Sequence, residues 1–309
     1  MHEMPVLTAH QPSAPAPFPF DTPEYAAALA YLGEPAVLPG LPWPVILRPI
    51  PNSDRVDALG PWPYASPLSP AQVPGALAAL RAAGVVTLTA FLRPDQPLDA
   101  DGLRAAGLGV LVLKPHFVYD CREPLPAPSK KTRFNLSAAR RRWQVEPLDL
   151  AAEWPTLAAL HDELAQRRNL SRIARHDARH FERLAAVPGA GGLCVREGGA
   201  LVAALVVLGD AASVHFHALL GTELAYRERA FYALYAEALR QWGPQRLLCL
   251  GGVPSSPDAV GVERFKRRFA TSTRPLPMLT AILDAPACVA LAARQGAPGY
   301  FPPYRTPAG

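Results

Sequence analysis

The sequence has no long apolar run. No stretch approaches the ~18 consecutive apolar residues that a membrane-crossing helix requires, so integral membrane association is not expected. It also lacks the pattern of a secretory leader: the opening MHEMPVLTAHQPSAPAPFPF has no basic start followed by an apolar core. Cysteine is sparse. Cys121, Cys194, Cys249 and Cys288 are scattered without a C-x-x-C pair, which argues against a disulfide frame or a cysteine-based zinc site. A cytoplasmic location fits these absences. Acidic excess is missing too, since the net charge is +5, a mild bias that permits an anionic partner. Several signature motifs are absent: G-x-x-x-x-G-K-[ST], G-x-S-x-G, H-E-x-x-H and G-x-G-x-x-G. Nucleotide hydrolases, common serine esterases and zinc proteases therefore recede.

Lysine is rare. Only Lys114, Lys130, Lys131 and Lys266 occur among 31 basic residues, so where they fall is informative. Proline is abundant at 36, and nearly half of it precedes residue 75. Residues 1–20 read as a disordered or loosely draped arm, because dense Pro and Ala support neither ladders nor helices. The chain is long enough for about two domains. In the first half, residues 43–50 read as an edge strand, 69–83 as a helix, 85–92 as a strand, 99–106 as a short helix and 109–119 as a strand. Residues 127–142 form a linker running into a helix. In the second half, helices over 150–169 and 176–186 precede strands over 192–197, 200–208 and 213–219. A helix over 226–242, a strand over 245–250, a short basic helix over 261–270 and a strand over 276–283 follow.

That order, with four motifs, resembles the FemAB-like branch of the N-acetyltransferase (GNAT) superfamily. Ser129-Lys130-Lys131-Thr132-Arg133-Phe134-Asn135 is similar to the family's S-K-K-T-R-R-N-I segment. Leu250-Gly251-Gly252, followed by Gly261-Val262-Glu263-Arg264-Phe265-Lys266-Arg267-Arg268-Phe269, resembles its L-G-G-G … G-L-x-R-F-K-R-G-F run. Residues 213–219 with 226–237, and the closing Tyr300-Phe301-Pro302-Pro303-Tyr304-Arg305, resemble two further family segments. The resemblance implies an α/β (α+β) protein of two tandem GNAT-like domains, each a mixed, mostly antiparallel sheet flanked by helices, with the N-terminal one degenerate. The corresponding division is an arm over 1–20, a domain over 21–126, a basic linker over 127–149, a domain over 150–295 and a tail over 296–309.

The resemblance also implies N-acyl transfer without a covalent enzyme intermediate. The acceptor would be an amine on a small molecule or peptide. The donor would be acyl-CoA, or aminoacyl-tRNA as in some members. A non-catalytic protein that binds an anionic ligand or nucleic acid on the same fold is the alternative outside enzymology. In the superfold, a strand splays from its parallel neighbour and a freed backbone N–H holds the oxyanion; here the splay is expected between residues 213–219 and 245–250. Acyl-CoA contacts would fall on Leu219, Leu220, Arg227, Arg229 and Ala230. The phosphate loop departs from the family, since Arg227-x-x-Ala230 keeps the arginine but has no glycine, and a Cβ hinders close approach by phosphate.

Candidate catalytic bases are His217 and Glu163. His215 and His217 lie two apart on one strand and so face one side. They are either ordinary strand residues, a substrate contact or base, or part of a metal site for which spacing supplies no third ligand; no metal is expected. Lys130, Lys131, Arg133, Arg168, Lys266, Arg267 and Arg268 are candidate anion contacts. The same charges would also suit solvated helix surfaces. An anion could additionally meet the backbone in the loop holding Pro254 and Pro257.

Overall fold

The computed structural model describes residues 17–253, 259–295 and 299–305. The expected anion contact in the loop with Pro254 and Pro257 lies outside these. One sheet of eleven strands runs through the molecule in the order β1-β2-β3-β4-β11-β5-β10-β9-β8-β7-β6. In chain order the strands are β1 (Glu34–Ala36), β2 (Val45–Pro49), β3 (Val56–Leu59), β4 (Val85–Phe91), β5 (Gly109–Tyr119), β6 (Glu146–Pro147), β7 (Ala190–Glu197), β8 (Ala200–Gly209), β9 (Ser213–Gly221), β10 (Leu247–Gly251) and β11 (Ser272–Ile282). The helices are α1 (Pro23–Ala28), α2 (Val73–Ala82), α3 (Ala100–Ala105), α4 (Lys130–Arg142), α5 (Leu150–Arg168), α6 (Ala178–Leu184), α7 (Glu223–Arg227), α8 (Ala230–Trp242), α9 (Ala259–Lys266) and α10 (Ala285–Gln295). No helix among the described residues is long and apolar enough to cross a membrane.

Read inward from either edge, the sheet repeats one pattern. β1, β2 and β3 are antiparallel, β3 is parallel to β4, and an antiparallel strand follows. From the other edge, β7, β8 and β9 are antiparallel, β9 is parallel to β10, and an antiparallel strand follows. These are two tandem units of mixed, mostly antiparallel sheet. The closing strands are exchanged: β11 from the second half flanks β4, and β5 from the first half flanks β10. The units meet where β11 and β5 pair over most of their length, so the halves share one ladder.

Several local outcomes differ from the sequence reading. β2 is not an edge strand, because β1 pairs outside it. The arm read over residues 1–20 ends inside the core: Phe18 and Phe20 are buried. Phe20 packs edge-on against Tyr25 and Tyr64, and burial of such rings is a large apolar gain. Thr22 then caps α1 by accepting from the Tyr25 amide. The helix expected over 226–242 is broken into α7 and α8 at Arg229, whose φ is +62°. The end of the chain docks as well, since Tyr304 and Arg305 are buried and Arg305 pairs with the fully buried Asp57 at 2.5 Å.

Candidate active site at the divergence of two strands

β9 and β10 pair in parallel at Ser213–Leu247, Val214–Leu248 and His215–Cys249, and no further. β9 continues to Gly221 along β8, while β10 continues to Gly251 along β5. The two strands therefore part after His215. Beyond that point β10 no longer supplies ladder partners to β9 and pairs with β5 instead. A bulge sets the angle. Val206 opposes Ala218 and Val207 opposes Phe216, which leaves His217 as the extra residue of β9; bulges bend a strand and re-aim its side chains. In the first unit the equivalent strands stay closed. Past β3, Gly60 N–H donates to the Thr89 carbonyl at 2.8 Å and Ala65 N–H to the Phe91 carbonyl at 2.7 Å.

Lys266, at the end of α9, reaches the open end of β10. Its Nζ donates to the Gly252 carbonyl at 2.7 Å. A Cβ built on Gly251, whose φ is +79°, would stand 3.1 Å from that nitrogen, so glycine here permits both the turn and the close approach. Desolvation, followed by repulsion from Lys114, brings the Lys266 ammonium down to about 7. The side chain as a whole is half-buried. His116 lies alongside. A Cβ on Gly252 would clash with its ring, and its Nδ1 bonds the Tyr64 hydroxyl at 2.8 Å. Burial, then the Lys266 and Lys114 charges, pushes His116 down to about 3, so it is a neutral ring at ordinary pH.

Beneath the closed part of the slot is a buried ionic cluster. Arg93 holds Asp95 with two hydrogen bonds of 2.9 and 2.6 Å, Asp210 at 3.0 Å and Ser213 Oγ at 2.7 Å. Its guanidinium lies 3.7 Å from the centroid of the Phe18 ring. His215 Nε2 is 3.0 Å from Ser213 Oγ and 3.7 Å from Asp95. Desolvation outweighs the Asp95 attraction and lowers His215 to about 4.

His215 and His217 do face one side, since both meet the Phe20 ring edge-on, but they join different groups. His217 stands with His176 and His180, its Nε2 2.8 Å from that of His180. Burial keeps it neutral well below the usual histidine range, with His180 and His161 adding to the effect. The sequence reading weighed His217 for a metal site without a third ligand; the His176-x-x-x-His180 spacing offers two, but His180 lies 37 residues before His217, a separation that no local pattern bridges.

The other candidate residues scatter. Glu163 is exposed on α5. Arg168 is exposed near the end of that helix, and its neighbour Arg167 pairs with Glu223 at 2.5 Å and lies over the Tyr226 ring. Leu219 and Leu220 are on β9 past the divergence. The following turn is filled by α7, with Arg227 exposed and bonded to Glu228. Arg229 is tied to Asn135 Oδ1 at 3.1 Å, and Ala230 is buried at the start of α8. Lys130, Lys131 and Arg133 are exposed on the first turn of α4, and Arg133 donates to the Pro128 carbonyl. Arg267 is held by Glu263 and lies over Phe117, while Arg268 is half-buried. α4 and α9 both pack against α8, through Trp143 at its start and through Phe265 against Tyr232 and Tyr235. Of the seven anion candidates, the structure brings Lys266 alone to the slot through a described contact.

No protein-family model matches the chain, and no curated protein matches it. Solved structures do resemble it. FemX superposes with a TM-score of 0.61 at 11% identity, covering 88% of this chain and 94% of FemX. The C-terminal DUF2156 domain of an Agrobacterium fabrum protein named for lysylphosphatidylglycerol synthetase gives 0.55 at 16% identity, covering 86% and 90%. L-PGS from Bacillus licheniformis gives 0.53 at 15%, covering 89% and 96%. With its two tandem units joined in one sheet, the chain shares the fold of FemX and of these other two structures.

Proposed function

We propose that the protein transfers an activated acyl group from a polyanionic carrier to an amine, and that the carrier is an aminoacyl-RNA. The observation that carries this reading is the divergence of β9 from β10 with the Lys266 ammonium at its open end. A carbonyl held in the gap would meet main-chain N–H groups of β9. Attack by an amine places negative charge on the carbonyl oxygen, and preorganised donors in a water-poor slot stabilise that charge. Lys266 adds a positive charge nearby. Collapse of the intermediate breaks the bond to the carrier oxygen, which leaves with the proton the amine surrenders, so a C–N bond replaces a C–O bond without any redox change.

Two observations support RNA over coenzyme A. The turn that would cradle a pyrophosphate is occupied by α7, and Arg229 is already committed to Asn135. Lys130, Lys131 and Arg133 meanwhile project from the first turn of α4, where they can neutralise phosphates and give salt-dependent binding. Acyl-CoA is the second reading, and a small thermal-shift panel separates the two.

The test is transfer from radiolabelled aminoacyl-tRNA to amine acceptors, with phosphatidylglycerol vesicles run in parallel because one structural neighbour is named for lysylphosphatidylglycerol synthesis. Lys266→Met should lower transfer by about 100-fold, the scale of one lost oxyanion donor, and Lys266→Arg should restore part of it. Undiminished transfer by Lys266→Met would remove the lysine from the mechanism. Stabilisation by acyl-CoA and none by RNA would overturn the carrier assignment.

A further inference from the structure

A second constellation beside β9 plays no part in the chemistry above. His176, His180 and His217 each present a nitrogen within 4.8 Å of the others. The hydrogen bonds fix two of the three tautomers. His180 Nδ1 is 2.9 Å from the Ala28 carbonyl. A carbonyl can only accept, so Nδ1 carries the hydrogen and Nε2 is a bare lone pair. The Tyr31 hydroxyl is 3.1 Å from the Ile173 carbonyl and 2.8 Å from His176 Nδ1. Its hydrogen goes to the carbonyl, so it accepts from His176 Nδ1–H, and His176 Nε2 is bare as well. His217 has one hydrogen to offer. Its Nε2 faces His180 Nε2 at 2.8 Å, while its Nδ1 is buried with no hydrogen-bond partner. Three neutral imidazoles thus lie together with a surplus of lone pairs, and two are held from behind by a carbonyl and a tyrosine oxygen; the His176 and His180 rings stack at 4.0 Å and 9°, so one of them turns for both to meet one ion. That is how metal-binding histidines are held.

We propose that His176, His180 and His217 bind a divalent transition metal ion of the zinc class, with a fourth position open to an exogenous ligand. Three-histidine sets with one open position are characteristic of catalytic rather than structural zinc, and imidazole donors select this group of ions over magnesium or calcium. Bonds of ~2.0–2.1 Å place tetrahedral donors about 3.3 Å apart, so the His180–His217 pair opens by roughly half an ångström on binding. Access exists. A surface depression of about 450 Å³ between α5 and α6 is lined by Asp162, Arg175, His176 and Asp177. His161 is not a fourth ligand through Nε2, which accepts the His176 amide at 3.0 Å; it fixes the loop that carries His176. The proposal is independent of the acyl donor.

The test uses the full chain without an affinity tag. Zn²⁺ titration by calorimetry should show one tight site per chain, and Co²⁺ should give the intense visible bands of a tetrahedral nitrogen site. His217→Gln should abolish the tight site. Tyr31→Phe, which keeps every ligand, should weaken Zn²⁺ binding by about 10–100-fold, as loss of an orienting partner does. Cys121→Ser controls for the one exposed thiol and should bind as wild type. Near-ultraviolet circular dichroism confirms that each variant is folded. A wild-type protein that takes up no stoichiometric Zn²⁺ overturns the proposal, and so does binding that survives in folded His217→Gln and Tyr31→Phe, or that disappears in Cys121→Ser.

Discussion

Lys266 carries opposing demands. Its ammonium sits where a cation is useful, yet burial lowers its affinity for the proton to about 7 from an ordinary 10.5. The unfolded chain then binds more protons between pH 7 and 10.5, so this residue's contribution to stability rises with pH across that window. Lys266→Met removes the burden and should stabilise the fold near neutrality by about 1–3 kcal/mol, a range discounted for partial exposure of the side chain. Chemical denaturation of both proteins at pH 7 and pH 10 tests this: the gap should narrow at pH 10. Transfer that depends on the charged form should instead decline as pH rises through 7. His116 works in the opposite part of the scale. With a folded value of about 3 against an ordinary 6.5, it withholds a proton that the unfolded chain accepts, so stability falls as pH drops from 6.5 toward 3. His116→Gln, which can still meet the Tyr64 hydroxyl, should flatten that acid limb by about one proton in the pH dependence of unfolding.

At the scale of elements, the segment running into α1 is a support for β9. Phe18 and Phe20 press on His215, and Phe20 also meets His217. Phe20→Ala should destabilise by about 3–5 kcal/mol, the usual range for a buried Phe truncation, measured by the urea midpoint at unchanged slope. This support was not legible in advance. A Pro/Ala-rich composition reads as an arm, and only tertiary burial reveals its last aromatics as core. The longer strands and helices were legible because β-branched runs and 3.6-residue periodicity are local properties. β1, β3 and β6 were missed because two to four residues hold too little pattern. The break at Arg229 was missed because Trp143 and Asn135, far away in sequence, anchor it. The divergence of β9 and β10 was expected from the family motifs, and it is present. The bulge that leaves His217 unpaired, and the imidazoles it meets, depend on register and on distant contacts that periodicity does not encode.

For the whole molecule, the exchange of β5 and β11 governs what can stand alone. A fragment over residues 127–309 lacks β5, so β10 would present an unpaired edge beside the slot. Such a fragment should not give a cooperative unfolding transition, whereas co-expression with residues 1–126 should recover a complex; calorimetry of the two preparations separates these outcomes. The closing segment is another long-range tie. Asp57 is fully buried and is held by Arg48 at 2.8 Å and Arg305 at 2.5 Å, so Arg305→Ala should cost about 3–5 kcal/mol by leaving part of a buried charge unmet.

The position of β11 also has a consequence for biosynthesis. The ribosome delivers β4 long before β11, and until β11 arrives β4 has an open flank at what becomes the middle of the sheet. The nascent first half must therefore wait, sticky and incomplete, until the ribosome has passed Ile282. Pairings this distant slow folding and prolong the exposure of strand edges to other chains. Yield in a cell-free system should rise when a chaperone shields that interval, and the gain should be largest when translation is slowed between residues 92 and 272.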